Sequence, residues 1–335
     1  MMIKVAINGF GRIGRIAFRQ MITSTDFDIV AINSLGANAE EFAYLIKYDT
    51  IHGTFHEDEI SFDNDELVIC GQKRIKIFSE ADPVNLPWSS LGVDLVLECT
   101  GAFTSTDGAM KHITAGAKKV LISAPGKDEM PTIVAGVNDH LIPADAKVVS
   151  AASCTTNCLA PLLKVINDNI GIIKGYMSTI HAYTSDQVNL DNNHKKGINS
   201  RRGRACAENI VPASTGAAKA IGLVIPELKG KLDGIAFRVP VADGSVVDTT
   251  LELKRNVTKE EINNLFKLNE NESLKITFDP IVSCDIIGKK YGSLVDGLST
   301  SVVESDGKQL VKVIAWYDNE YGYTAQMLRC AKKMF

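Results

Sequence analysis

The rhythm of apolar and polar positions changes near the middle of the chain. In the first half, short apolar runs alternate with stretches of helical spacing. "IKVAIN" at 3–8 predicts a buried strand, and "GRIGRIAFRQMITS" behind it sets Ile13, Ile16, Ala17, Phe18 and Met21 on a helical period. "FDIVAIN" at 27–33 predicts a second strand. "VDLVLECTG", "KKVLISAPG" and "AKVVSAAS" predict further strands, each ending in small or turn residues. Strands alternating with helices over roughly 150 residues predict an α/β fold with a parallel, doubly wound sheet.

The second half carries longer alternating runs: "IIKGYMSTIHAYT", "GIAFRVPVADGSVVDTTLELKR" and "KQLVKVIAWYDNEYG". Long strands with few helices predict an α+β domain on a large mixed or antiparallel sheet. "TKEEINNLFK" at 258–267 predicts one amphipathic helix with a threonine cap and early acids. The boundary between the two patterns falls between residues 153 and 154. The stretch 184–209, "TSDQVNLDNNHKKGINSRRGRACAEN", is too polar for a core. A loop of that length is usually functional or an interface.

At 335 residues the chain is longer than one core usually serves, which supports two domains. A net charge of −4 gives no reason to expect nucleic acid or an anionic membrane as main partner. Seven scattered cysteines, without a CxxC pair, suit a reducing compartment better than a disulfide scaffold. No signal peptide and no apolar run long enough for a bilayer is visible, so the expected location is the cytoplasm.

"NGFGRIG" spaces Gly9, Gly11 and Gly14 as GxGxxG, after a predicted strand and at the start of a predicted helix. Such glycines allow a tight turn and close approach of a pyrophosphate to free N–H groups at a helix start. In this context they predict a dinucleotide site and a Rossmann-type sheet, the alternative being a plain helix-packing turn. The acid expected at the end of the second strand to hold the adenosine ribose is replaced by Ser34. Serine does not repel a 2′-phosphate, and no arginine stands next to it, so NAD and NADP both remain open.

"SAASCTTNC" places Cys154 and Cys158 four residues apart. A disulfide within one helix is strained, and a metal would need further ligands, for which only His181 is available. In the third reading Cys154 is a nucleophile at the first turn of a helix, where the dipole and free N–H groups favour a thiolate. Ser153, Thr155 and Thr156 supply capping hydroxyls, and Cys158, beside "LAPLL", is a structural thiol. His181, in "TIHAYT", is the candidate base. Spacing alone does not distinguish a catalytic pair from a structural cysteine and a core histidine.

"NGFGRIGR", "LIKYDTIHG", "ISAPGKD", "SAASCTTNC", "HAYTSDQ", "PASTGAAKA", "FRVPV" and "WYDNEYGY" follow in order along the chain. Together they resemble phosphorylating glyceraldehyde-3-phosphate dehydrogenases. The resemblance implies oxidation of D-glyceraldehyde 3-phosphate, with NAD and/or NADP and inorganic phosphate, to 1,3-bisphosphoglycerate. It also implies a homotetramer without a metal. Residues 1–153 would form the dinucleotide-binding domain and 154–318 the catalytic domain. Residues 319–335 would be a helix returning to the first domain, and 184–209 an interface loop. Cys154 would be the nucleophile and His181 the base. Thr184, Asp186 and Arg238 would hold the substrate phosphate; Ser153, Thr155, Thr215, Gly216 and Arg202 would serve the inorganic phosphate side. Asn8, Gly9, Gly11, Arg12, Ile13 and Gly14 would line the cofactor phosphates, with Ser34 at the adenosine ribose. Thr100, Gly101 and Ser123 would lie near the remaining ribose and nicotinamide. Asn319 would bind the carboxamide, unless it is only a helix cap.

Three positions depart from the NAD-type pattern of that family. Ser34 replaces the acid, Asn192-Asn193 replaces an apolar residue and proline, and Ala81 replaces an arginine. The first two changes remove features that reject NADP, so use of both cofactors is expected. The segment 194–201 is also longer than the pattern, which loosens the register of Arg202. The enzymatic alternative is erythrose-4-phosphate dehydrogenase, against which the intact Thr184 and Thr215-Gly216 argue. A cysteine hydrolase would not need the glycine turn. A nucleic-acid-binding role would rest on Lys195, Lys196, Arg201, Arg202 and Arg204 alone.

Overall fold

The computed structural model describes residues 2–36 and 38–335. It divides into two compact units. One holds residues up to Ile133, then Asp139–Ala152 and Met327–Phe335; the other holds Val134–Asn138 and Ser153–Gln326.

The first unit is built on an eight-stranded sheet. Its spatial order is Val148–Ser150, Lys119–Ile122, Leu95–Glu98, Ile3–Asn8, Phe27–Asn33, Lys73–Phe78, Glu66–Ile69 and Ile60–Asp63. From Val148–Ser150 to Lys73–Phe78 every neighbouring pair is parallel. These strands read as continuous apolar runs because both sheet faces are covered: Val5, Ala6, Ile7, Leu95, Val96, Leu97 and Leu121 have no exposure. The last two strands form an antiparallel hairpin that the periodicity did not predict. Its segments are four residues each, and in "ISFD" only Ile60 is buried, so they offer too little pattern. Asn64, with φ +52°, makes the turn between them.

Sheet order also marks a site. From Ile3–Asn8 the chain builds outward through Phe27–Asn33 and Lys73–Phe78, then returns to the other side of Ile3–Asn8 with Leu95–Glu98. In open parallel sheets ligands bind beyond the strand ends where the order reverses. Here those ends are Asn8 and Glu98, which are register partners.

The second unit has a mixed sheet in the order Val211–Ser214, Leu232–Val239, Ile172–Ala182, Ser245–Leu253, Lys308–Tyr317, Ser293–Asp296 and Leu274–Thr277, with Ser301–Ser305 beside Lys308–Tyr317. Ile172–Ala182 runs parallel to Leu232–Val239 and antiparallel to Ser245–Leu253. The long run from Gly234 to Arg255 is therefore two strands. The break follows Val239, at Pro240, which has no N–H to give to a ladder. In Ser245–Leu253 every second residue is buried, the signature of a sheet with one face to the core.

Helix Cys154–Asn169 buries Leu159, Ala160, Leu162, Leu163 and Ile166 completely. The predicted amphipathic helix is Lys259–Leu268, and the Thr258 hydroxyl accepts from Glu261 N at 3.1 Å. The final helix starts at Tyr321 rather than near Asn319. Its cap is Asp318, whose Oδ1 accepts from Glu320 N (2.8 Å) and Tyr321 N (2.6 Å). Stretch 184–209 is irregular but closed on itself by an isolated bridge between Val188 and Ala205 and by Asn192 N donating to Gly203 O. Among the described residues no helix is long and apolar enough to cross a membrane.

Candidate active site

The glycine turn sits at the reversal point of the first sheet. Gly9 has φ +92°, and a Cβ there would lie 2.6 Å from Thr100 N. A Cβ on Gly14 would lie 2.2 Å from Gly9 O, so helix Arg12–Ile22 packs against its own turn only through glycine. A Cβ built on Gly11 would meet nothing within 4 Å, and no side chain caps the helix. A helix start without a side-chain cap is suited to an anion, and the turn fits a dinucleotide pyrophosphate.

Ser34 turns toward this turn and accepts from Phe10 N at 3.3 Å. Arg12 is paired with Asp49. Burial pushes the Asp49 carboxyl up, but Arg12 and the N–H groups of His52 and Ile51 outweigh it and hold the group well below the usual range. Ile13 is half-buried; Thr100 and Gly101 are exposed, Gly101 with φ +71°. Ser123 N donates to Glu98 O, and burial pushes the neighbouring Cys99 thiol up to about 12.

In the second unit Ser153 caps helix Cys154–Asn169, its Oγ accepting from Thr156 N at 3.1 Å. Just ahead, Ala152 adopts φ +57°, costly for a residue with a Cβ and common where a functional turn is over-determined. Cys154 is the first helical residue. Its Sγ lies 3.4 Å from His181 Nε2, at the end of strand Ile172–Ala182. Cys158, one turn on, is fully buried, with Ser293 Oγ at 3.8 Å and Ala315 O at 3.7 Å. Burial pushes its thiol far up, so the two cysteines differ as nucleophile candidates by surroundings alone.

Arg238 lies on the far side of the imidazole. Its Nη1 is 2.8 Å from His181 Nδ1 and donates to Ala182 O at 2.8 Å; the same carbonyl is 2.7 Å from Nδ1. The sequence reading expected the helix start to favour a thiolate, with His181 as its base. Burial pushes the Cys154 thiol up, while Arg238 and Thr155 pull it down. Burial and Arg238 together push His181 down to about 3. Both shifts disfavour the charged pair: burial and the neighbouring guanidinium oppose protonation of the imidazole, while Nδ1 donating to Ala182 O leaves Nε2 to face the sulfur. Arg238 Nε is buried and has no partner among the described residues. A buried cation with an unused donor calls for an anion, which would offset the charge opposing imidazolium.

Arg202 is 8% exposed, hence no surface arginine. It pairs with Asp186 and donates to Ser214 O at 3.3 Å. Asp186 also meets Lys196 at 3.3 Å, so in this state it serves Arg202 and the loop cations. Thr184 O accepts from Gln187 N at 2.9 Å. Thr215 Oγ1 accepts from Ala217 N at 3.2 Å, and Gly216 opens helix Ala217–Val224 without a side-chain cap. Thr155 differs from expectation: it is buried, and its hydroxyl meets Tyr317 OH at 2.9 Å and the Cys154 sulfur, so it positions the nucleophile rather than facing a phosphate.

The sequence reading missed Tyr317, which joins Thr155 to Thr179 (2.9 Å) and sets its ring edge-on to His181 at 5.8 Å. Ser245 was missed too: its hydroxyl donates to Asn319 Oδ1 at 2.7 Å and accepts from Ala182 N at 3.0 Å. Asn319 is thereby oriented by Ser245, and the capping role belongs to Asp318. Tyr317 stood inside a quoted motif; Ser245 and Thr179 gave no local signal.

A Rossmann-type unit with an open glycine turn, and a second unit with a cysteine–histidine pair beside a buried arginine, fit a class: nicotinamide-dependent oxidoreductases that act on aldehydes. The family profile described as "Glyceraldehyde 3-phosphate dehydrogenase, NAD binding domain" matches residues 3–106, and that described as "Glyceraldehyde 3-phosphate dehydrogenase, C-terminal domain" matches 153–319. The chain is 55% identical over 328 residues to the glyceraldehyde-3-phosphate dehydrogenase of Clostridium pasteurianum, covering 98% of this chain and 97% of that protein. It is 53% identical to the enzyme of that name from Clostridium acetobutylicum, with the same coverage. To that from Streptococcus pyogenes it is 51% identical over 330 residues, again 98% of this chain and 97% of the relative. The chain belongs to the glyceraldehyde-3-phosphate dehydrogenase family.

Proposed function

We propose that this protein oxidises D-glyceraldehyde 3-phosphate and couples the oxidation to inorganic phosphate, giving 1,3-bisphosphoglycerate. The observation that carries the reading is the line Cys154 Sγ, His181, Arg238: a sulfur 3.4 Å from an imidazole whose other nitrogen is 2.8 Å from a buried guanidinium. His181 Nε2 accepts the thiol proton as Cys154 adds to the aldehyde carbon, and returns it to the oxyanion so formed, giving a hemithioacetal. The N–H groups at the start of helix Cys154–Asn169 face the developing oxyanion. His181 then takes the hemithioacetal hydroxyl proton. A bound nicotinamide ring supplies the hydride acceptor for that oxidation. The resulting Cys154 thioester is attacked by a phosphate oxygen, which releases the acyl phosphate and restores the thiolate.

Arg238, with Thr184, is assigned to the substrate phosphate; its unused Nε supports this. Arg202, Ser153, Thr215 and Gly216 are assigned to inorganic phosphate, and Asp186 holds Arg202. Asn8, Gly9, Gly11, Arg12, Ile13, Gly14, Ser34, Thr100, Gly101 and Ser123 are assigned to the dinucleotide, and Asn319 to the carboxamide. Residues 1–153 carry the cofactor role, 154–318 the chemistry, and 319–335 return to the former. Ser34 and Asn192-Asn193 support use of both NAD and NADP. A homotetramer in the cytoplasm completes the reading. Leu190, Ile198 and Ile210, 79%, 93% and 69% exposed in or next to the irregular loop, are the apolar surface that supports association.

The test is the initial rate with each cofactor on the triose phosphate, with and without inorganic phosphate. Acyl phosphate is expected only when phosphate is supplied. Equal rates without it, or a preference for erythrose 4-phosphate, overturn the assignment.

A further inference from the structure

Behind the glycine turn, wholly inside the first unit, lies a polar network in an otherwise apolar core. Glu98 and His112 have fully buried side chains, and Trp88, Asn8 and Asn33 are also buried. Trp88 belongs to an apolar core cluster with Ala6, Val96, Ala109 and Val120. The proposed chemistry uses neither Glu98 nor His112, and burying such groups costs more than filling the space with apolar side chains.

Every donor in the network has one direction. Trp88 Nε1 can only donate, so His112 Nδ1 accepts from it at 3.0 Å. The imidazole proton is then on Nε2, which donates to Glu98 Oε2 at 3.2 Å. Asn8 Nδ2 donates to the same oxygen at 2.5 Å. Glu98 Oε1 accepts from Thr100 N at 2.9 Å and from the Thr100 hydroxyl. With its amide nitrogen committed to Glu98, Asn8 turns Oδ1 to Asn33 Nδ2 at 2.7 Å. Asn33 is closed in turn on Glu80, through Glu80 O (3.0 Å) and Glu80 N (2.8 Å). No amide in this chain can flip without setting donor against donor.

The network joins the two strand ends at the reversal point. Asn8 leads into the turn at Gly9, and Thr100 is the residue whose N–H a Cβ on Gly9 would strike. Asn33 precedes Ser34. We propose that Glu98 and His112 are positioning residues for the dinucleotide: Glu98 locks Asn8 and the Thr100–Gly101 turn at the floor of the crevice, and His112, held by Trp88, fixes Glu98. The proposal rests on the reading that the dinucleotide binds at the glycine turn.

Glu98→Gln is nearly isosteric but puts an NH2 where donors converge, so Asn8 or Thr100 must turn away. Calorimetry of NAD on the cofactor-free protein is expected to show about a tenfold weaker Kd. The KM for NAD should rise in step and kcat stay within about twofold, while Cys154 alkylation by iodoacetamide without cofactor is unchanged. His112→Leu, which removes the donor, should behave like Glu98→Gln. His112→Gln, which keeps an N–H near Glu98, should lie closer to wild type. If Glu98→Gln does not fold, the two His112 variants decide. Equal NAD affinity in wild type and in folded Glu98→Gln or His112→Leu overturns the proposal. So does a loss spread equally over Kd, kcat and alkylation, which would indicate general loosening. A wild-type protein that binds no NAD overturns the reading of the turn itself, an outcome distinct from unaltered variants of a tight-binding parent.

Discussion

Helices Arg12–Ile22 and Cys154–Asn169 both begin shortly after a residue with positive φ, and they use the N–H groups of their first turns differently. Helix Arg12–Ile22 follows Gly9, has no side-chain cap and would leave a Cβ on Gly11 in open space. Helix Cys154–Asn169 follows Ala152, is capped by Ser153 and carries a sulfur at its first position. The bare start suits a ligand that brings its own negative charge. The capped start suits a side chain that must become negative, and the cap leaves only part of the N–H array to stabilise it. Helix polarity alone therefore assigns no role; what stands on the N–H groups does. Nor does polarity alone ionise Cys154, because burial opposes it, and burial and Arg238 together oppose a charge on His181.

The largest test of this contrast is Cys154→Ser. Activity on triose phosphate should fall by at least about 10³-fold, since the hydroxyl is a far weaker nucleophile beside a neutral imidazole. Calorimetric NAD affinity should stay within about twofold, because the bare helix start is untouched. A parallel loss of both would mean that the two starts are not independent. His181→Asn should cost about 10²–10⁴-fold in kcat, with the burst of acylation slowed most.

That variant also tests the neutral resting state through stability. A histidine with its folded pKa lowered to about 3 stays unprotonated in the native state, whereas the unfolded chain takes up its proton below about pH 6.5. Stability is thus lost as pH falls from about 6.5 toward 3, by about 1.4 kcal/mol per pH unit from this one site. Denaturant titrations across that window should show a shallower acid slope for His181→Asn. Identical slopes would count against the neutral imidazole.

On the ligand-binding side, Gly14→Ala should destabilise the fold by about 1–3 kcal/mol, because its Cβ meets Gly9 O at 2.2 Å. Thermal melts and NAD titration should fall together. Ser34→Asp leaves the fold alone and should shift the NADP/NAD ratio of kcat/KM about tenfold toward NAD, by repelling a 2′-phosphate. The smallest effect belongs to Cys158→Ser, expected within about twofold of wild-type kcat; an inactive variant would make the buried thiol more than structural.

The parallel strands of the first unit were legible because a doubly covered sheet writes continuous apolar runs. Cys154, the glycine turn and His181 were legible because each belongs to a local pattern. The hairpin at 60–69 was not, being too short and too exposed on one face. The surroundings of Thr155 were not legible because its hydroxyl turns to Tyr317, far away in sequence, nor was the cap of the final helix, which falls on Asp318 rather than on its neighbour Asn319. Ser245 and Thr179 had no local signature, since each matters only through a partner on another strand.

Periodicity and motif order were enough to establish the two fold patterns, the candidate nucleophile and the family resemblance, because these depend on residues close together along the chain. The protonation of the pair, the turning of Thr155 away from the phosphates and the Glu98–His112 network depend on burial and on contacts across many residues. Solvent exclusion and the direction of each hydrogen bond arise only when distant segments are brought together, and tertiary structure alone decided them.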